Sequence, residues 1–159
     1  MTASAAIFPG QGAQEVGMGK DAAEVCAVAA DTFAQADEIL GFGLSQLCFE
    51  GPAERLNATD IQQPAIFTTS VALYRAALDR KKIRPDQFAA MGGLSLGEYT
   101  ALHLAGSVPF DAALRLVQRR GQLMQQAAQR SPGGMVSIMG LTEEQVLAVC
   151  ERVAESGRV

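Results

Sequence analysis

The chain has 159 residues, with 48% hydrophobic and 19% charged positions and a formal net charge of -4. That length supports one domain with a real core, and the acidic balance leaves no basic footprint for nucleic acid or an anionic membrane. The N-terminal MTASAAIFPGQGAQ has neither a charged leader region nor a long apolar stretch, so neither a signal peptide nor a membrane span is expected.

Ala5 to Phe8 is a short apolar run ended by Pro9-Gly10, which predicts a buried strand and a tight loop. Residues 21–40 carry apolar positions at helical spacing, stopped by Gly41 and Gly43. A short helix over 44–49 follows, and Gly51-Pro52 opens a turn leading to Leu56. A helix from about Ile61 to Lys81 places Pro64 in its first turn, where proline is tolerated. The basic run from Arg80 to Arg84 reads as the solvated end of that helix.

Pro85 closes the helix, and Phe88 to Met91 is the next buried strand, running into Gly92-Gly93. Helices are expected from Leu96 to about Ala105 and from about Phe110 to Gln129, the second ended by Ser131-Pro132-Gly133-Gly134. Met135 to Leu141 is strand-like. Thr142 and Gln145 have capping-box spacing, ahead of a helix with Val146, Val149, Cys150 and Val153 on one face. The alternation of strands and helices argues for an α/β layered fold with parallel pairing. About three strands are few beside the five or six of an average sheet, so the pattern looks like the first part of a larger protein.

Cys26, Cys48 and Cys150 fall among apolar helix positions, which points to buried thiols in a reducing, cytoplasmic compartment rather than disulfides. His103 is the one histidine, and with no Cys-x-x-Cys there is no basis for a metal site. Gly93-Leu-Ser-Leu-Gly97 fits the G-x-S-x-G nucleophile elbow, with an apolar strand before it and a helical pattern after it. Such a turn strains the serine backbone and projects its hydroxyl away from the sheet. Small residues two positions either side are needed because backbone passes close by. The Leu96 N–H, at the new helix's start, would stabilise an oxyanion. The plainer reading is a glycine-rich turn in which Ser95 caps the helix.

Phe8-Pro-Gly-Gln-Gly-Ala-Gln14 begins like a dinucleotide fingerprint, but Glu15 stands where the third glycine belongs and would repel a pyrophosphate. The Gln11 backbone N–H could supply a second oxyanion donor, or the stretch is a simple turn. On the helix from 110 to 129, Ala113, Leu116, Val117, Leu123, Met124 and Ala127 form an apolar face with Arg120 in its middle. A guanidinium there needs an anionic partner, either a protein carboxylate or a substrate carboxylate held in a bidentate pair. His103 lies eight residues beyond Ser95, about 12 Å along the helix axis, too far to act as its base.

FPGQGAQ, GPAERLNAT with QQPA, GLSLGEYTAL and RRGQLMQ, in that order, resemble the malonyl-CoA:acyl carrier protein transacylase family, which includes the acyltransferase domains of polyketide and fatty acid synthases. The resemblance spans essentially the whole chain. It implies an α/β-hydrolase-like three-layer large subdomain, incomplete and covering 1–130, plus the first strand and helix of a ferredoxin-like small subdomain over 134–159. It implies transfer of malonyl from malonyl-CoA to the phosphopantetheine thiol of acyl carrier protein, with the coenzyme A thioester as substrate and no cofactor. By motif, Ser95 would be the acylated nucleophile, the Gln11 and Leu96 amides the oxyanion hole, Arg120 the malonyl-carboxylate receptor and Gln63 a pocket residue. Leu96 resembles malonyl-type members; methylmalonyl-type members tend to have glutamine there.

Two departures stand out. The histidine usual before the nucleophile is Leu94 here, which bears on elbow packing and acyl selectivity. Full members are roughly twice as long, and their base histidine lies in the second half, so the chain is expected to be an N-terminal fragment. Alternatives are a catalytically incomplete piece that binds only or needs a complementary C-terminal half, and a patatin-like serine hydrolase. Arg120 argues against the hydrolase, since a lipid acyl chain offers it no carboxylate.

Overall fold

In the computed structural model, which describes residues 4–130 and 138–156, strand β1 (Ser4–Phe8) pairs in parallel with β2 (Phe88–Gly93). Helices α1 (Lys20–Val25), α2 (Ala27–Leu40), α3 (Leu44–Glu50), α4 (Ala53–Leu56) and α5 (Thr59–Asp79) lie between the strands in sequence. α6 (Leu96–Leu104), α7 (Phe110–Arg130) and α8 (Glu143–Glu155) follow β2. The architecture is mixed α/β, mostly helical, with a small parallel sheet. The parallel pairing follows the sequence pattern. Met135 to Ser137 and the Ser131–Gly134 terminator lie outside the described residues, and Ile138 to Leu141 take no strand conformation.

α5 is the hub of the core. Ile61 to Thr69 are buried without interruption, so this half of the helix is enclosed on every side, while Leu73 further along is exposed. Around it pack Phe33 and Ala36 of α2, Leu44 and Cys48 of α3, and Phe110, Ala113, Leu114 and Val117 of α7. Burial of the Cys48 thiol pushes its pKa up to about 12, which leaves it protonated and inert.

Several expectations need correction. The strands are not buried: Ile7 is 73% exposed and only Phe8 of β1 is buried. Successive side chains point to opposite faces. Phe8 packs edge-on against Tyr74 of α5, with ring centroids 6.1 Å apart, whereas the Ile7 face has no layer over it among the described residues. The helix expected over 21–40 is two helices, because Cys26 adopts an extended conformation at φ -141 and ψ 112. The cause is tertiary. Cys26 Sγ reaches Asp79 at the C-terminus of α5, 3.8 Å away, and the Arg80 guanidinium donates to the freed Val25 carbonyl.

α5 starts at Thr59, two residues before the expected Ile61, so Pro64 sits at its sixth position rather than in the first turn. The proline leaves the Asp60 carbonyl without its usual i+4 donor. α7 crosses at that point: a Cβ on Gly121 would lie 2.7 Å from Thr59 O, and Gln125 Oε1 accepts from Thr59 N at 3.2 Å. Gly121 thus permits the close approach, and Gln125 satisfies an otherwise unpaired N–H at the start of α5.

The buried face of α7 is Phe110, Ala113, Leu114, Val117 and Gly121. Leu116, Leu123 and Ala127, expected on that face, are exposed. Counting Gly121 as a contact residue shifts the stripe and moves Arg120 from its centre to its flank, half-buried. α8 has the expected capping box, Thr142 Oγ1 accepting from Gln145 N and Gln145 Oε1 from Thr142 N. No residue of α8 is buried, so Cys150 is exposed rather than a core thiol. No described helix is long and apolar enough to cross a membrane.

Candidate functional site

Ser95 stands between β2 and α6 at φ 53 and ψ -98, a conformation that costs a non-glycine residue roughly 1–3 kcal/mol. The turn closes tightly because of its glycines. A Cβ on Gly93 would lie 2.2 Å from the Gly97 carbonyl carbon, and one on Gly97 would lie 2.3 Å from Phe8 O. The positions two residues either side of Ser95 must therefore be glycine, as the motif requires. The serine side chain makes no capping hydrogen bond to α6. Capping the helix is therefore not its role.

The Ser95 hydroxyl instead accepts a hydrogen bond from Arg120 Nη2 at 2.6 Å, while Arg120 Nη1 donates to Gln63 Oε1 at 2.6 Å. The guanidinium also sits 5.8 Å from the Tyr99 ring centre. Residues from α5, the elbow and α7 thus meet at one point. All of Arg120's partners are neutral; among the described residues the one ion pair is Arg84–Asp86, at 3.2 Å. A protein carboxylate for Arg120, one of the two expected options, is absent from the described residues.

The loop after β1 comes to the same place. A Cβ on Gly10 would lie 2.6 Å from Leu94 O, which puts the neighbouring Gln11 peptide beside the elbow. Gly12, at φ 103, donates its N–H to Gln14 Oε1 at 3.0 Å, and Gln14 Nε2 donates to Asn57 Oδ1 at 2.9 Å. That pair ties FPGQGAQ to GPAERLNAT. Leu96 is the first residue of α6, where backbone N–H groups have no intrahelical acceptor. Leu94 is 75% exposed, so replacing a histidine there leaves no hole in the core.

Among these residues Gln63 changes most from its sequence reading. It is fully buried, and its carboxamide oxygen accepts from Arg120 Nη1. Tyr99, Met124 and Gln125 were not legible as site residues. Their spacing from Ser95 and Arg120 on α6 and α7 was the available signal, but it needed the crossing of those helices with α5. A groove of about 280 Å³ beside Met91, Gly92, Ala101 and Leu102 shares no lining residue with the Ser95, Gln63 and Arg120 cluster.

His103 faces elsewhere, as expected. Its Nδ1 is 2.9 Å from Val108 O and its Nε2 3.4 Å from Arg75 Nη2, with the ring against Phe67 and Phe110. Burial lowers its pKa, the Val108 hydrogen bond opposes this, and the Arg75 charge adds to the lowering. The folded chain therefore binds this proton less readily than the unfolded chain, whose histidine titrates near 6.5. The resulting stability is present in full well above that pH and is lost as pH falls through and below it. Urea midpoints should drop between pH 7.5 and 5.5, and His103→Gln should flatten that slope.

A strand, a strained serine turn and a helix N-terminus place the chain among α/β proteins built to present a serine hydroxyl. Residues 6–157 match the acyl transferase domain, and the chain belongs to that family. It is 46% identical to the malonyl CoA-acyl carrier protein transacylase of Escherichia coli K12 over 155 residues, covering 98% of this chain and 49% of that protein. The solved acyl carrier protein S-malonyltransferase of Vibrio cholerae is 44% identical with a TM-score of 0.84, over 96% of this chain and 49% of that one. A malonyl-transacylase solved in complex with its type II PKS acyl-carrier protein is 40% identical with a TM-score of 0.84, over 98% and 49%. The chain spans about half the length of these relatives.

Proposed function

We propose that this chain carries the acyl-loading half of a malonyl-CoA:acyl carrier protein transacylase site. The observation that carries the reading is an arginine with no carboxylate partner among the described residues, hydrogen-bonded to the elbow serine. Ser95 Oγ attacks the malonyl thioester carbonyl and gives its proton to a general base. The tetrahedral oxyanion rests on the Gln11 and Leu96 N–H groups, and coenzyme A leaves as its thiol. Arg120 pairs with the free malonyl carboxylate and Gln63 braces it. The phosphopantetheine thiol of acyl carrier protein then attacks the malonyl ester, and Ser95 recovers its proton.

In this reading residues 1–130 are the N-terminal part of an α/β-hydrolase-like large subdomain, 134–159 open a ferredoxin-like small one, and the protein works in the cytoplasm. A second reading, a chain that binds substrate and needs a complementary C-terminal half to react, is favoured by His103. Its ring is committed to Val108 and Arg75, which leaves Ser95 without a histidine base. A patatin-like hydrolase has no use for the Arg120 charge. Calorimetry against malonyl-CoA and acetyl-CoA tests the proposal. Binding at least about tenfold tighter for malonyl-CoA is expected from a charge-assisted bidentate pair; equal affinities would refute it.

A further inference from the structure

Gln63 is a fully buried amide held at both ends from one face of α7. Its Oε1 accepts from Arg120 Nη1 at 2.6 Å, and its Nε2 donates to Met124 Sδ at 3.2 Å. Arg120 and Met124 are four residues apart, so they stand one turn apart on the same side of the helix. A carboxamide has nearly the same shape after a half-turn about its last bond, but it then exchanges acceptor for donor. Turned that way, Gln63 would push an NH2 group against the Arg120 N–H groups. The donor-only guanidinium draws the oxygen, and the thioether, a weak acceptor with no donor, receives the NH2 at the other end, so both contacts select one amide orientation.

We infer that Met124 is a positioning residue: through Gln63 its thioether fixes the direction in which the Arg120 fork presents its donors at Ser95. An isosteric hydrocarbon would leave the buried Gln63 NH2 group without its acceptor, and the fork would lose its fixed brace. The inference rests on Arg120 being the carboxylate receptor.

Met124→Leu removes the acceptor while roughly conserving volume, and Met124→Gln offers a carbonyl oxygen in its place. Two readouts apply to the full 159-residue chain. One is the ¹⁵N side-chain amide pair of Gln63, assigned by its loss in Gln63→Leu. The other is the calorimetric affinity ratio of malonyl-CoA over acetyl-CoA. Met124→Leu should shift the Gln63 pair and lower the ratio about 3- to 10-fold, the size of one weak hydrogen bond. Met124→Gln should bring the ratio back to within about twofold of the parent. If Met124→Leu matches the parent in both readouts while Arg120→Ala has lost the preference, the brace is wrong and the carboxylate reading stands. If Met124→Gln is the worse of the two, Met124 merely packs. If Arg120→Ala keeps the preference, the carboxylate reading fails and takes the role of Met124 with it.

Discussion

Gly93→Ala should destabilise the chain by about 3 kcal/mol or more, whereas Gly92→Ala, one residue away, should change stability by less than about 0.5 kcal/mol. The contrast is geometric. A methyl at 93 meets the backbone of Gly97 at 2.2 to 2.6 Å, and backbone cannot swing aside as a side-chain tip can. A methyl at 92 meets only Ile7 Cδ1, at an ordinary 3.6 Å. To admit the first, α6 must move off β2, and that movement takes Ser95, the Leu96 N–H and the Gly97 contact with Phe8 along. For a chain of this size the penalty corresponds to a fall of roughly 6–12 °C in Tm. Differential scanning calorimetry of the two variants decides it, and equal melting points would mean that the elbow is not closed as described.

Arg120→Ala should erase the preference for malonyl-CoA over acetyl-CoA, a loss of roughly 10- to 100-fold for a charge-assisted bidentate pair. Affinity for acetyl-CoA should change little, since its acyl group offers nothing to a guanidinium. Arg120→Lys should fall between: the charge remains, but the planar fork that meets Gln63 and Ser95 together is lost. Removing Arg120 also leaves the buried Gln63 Oε1 without its donor, so a modest loss of stability should accompany the loss of selectivity. A variant that binds both thioesters as the parent does would show that the guanidinium serves packing alone.

The elbow was legible because its chemistry is local. Strand, Gly-x-Ser-x-Gly and helix occupy one continuous stretch, and the requirement for small residues comes from backbone that the motif itself folds back. Arg120 was legible as an anomaly on a helix, but its placement was misjudged, since only the crossing over Thr59 makes Gly121 a buried contact. The break at Cys26 left no trace in the helical periodicity, because its cause is Asp79 and Arg80, more than fifty residues away. Gln63 drew attention only through resemblance, and its brace by Met124 depends on where α7 meets α5. What the sequence expressed least was exposure. Ile7 in β1 and Val149 and Val153 in α8 look like core residues by pattern, yet lie open in the described structure.

The most direct test is the intact mass of the chain after exposure to malonyl-CoA, alone and mixed with the C-terminal half of a full-length relative, with Ser95→Ala in parallel. Only the mixture should gain one malonyl group, and Ser95→Ala should gain none. An adduct on the chain alone would mean that a base within it has gone unrecognised, and an adduct that survives Ser95→Ala would place the acyl group elsewhere and contradict the account.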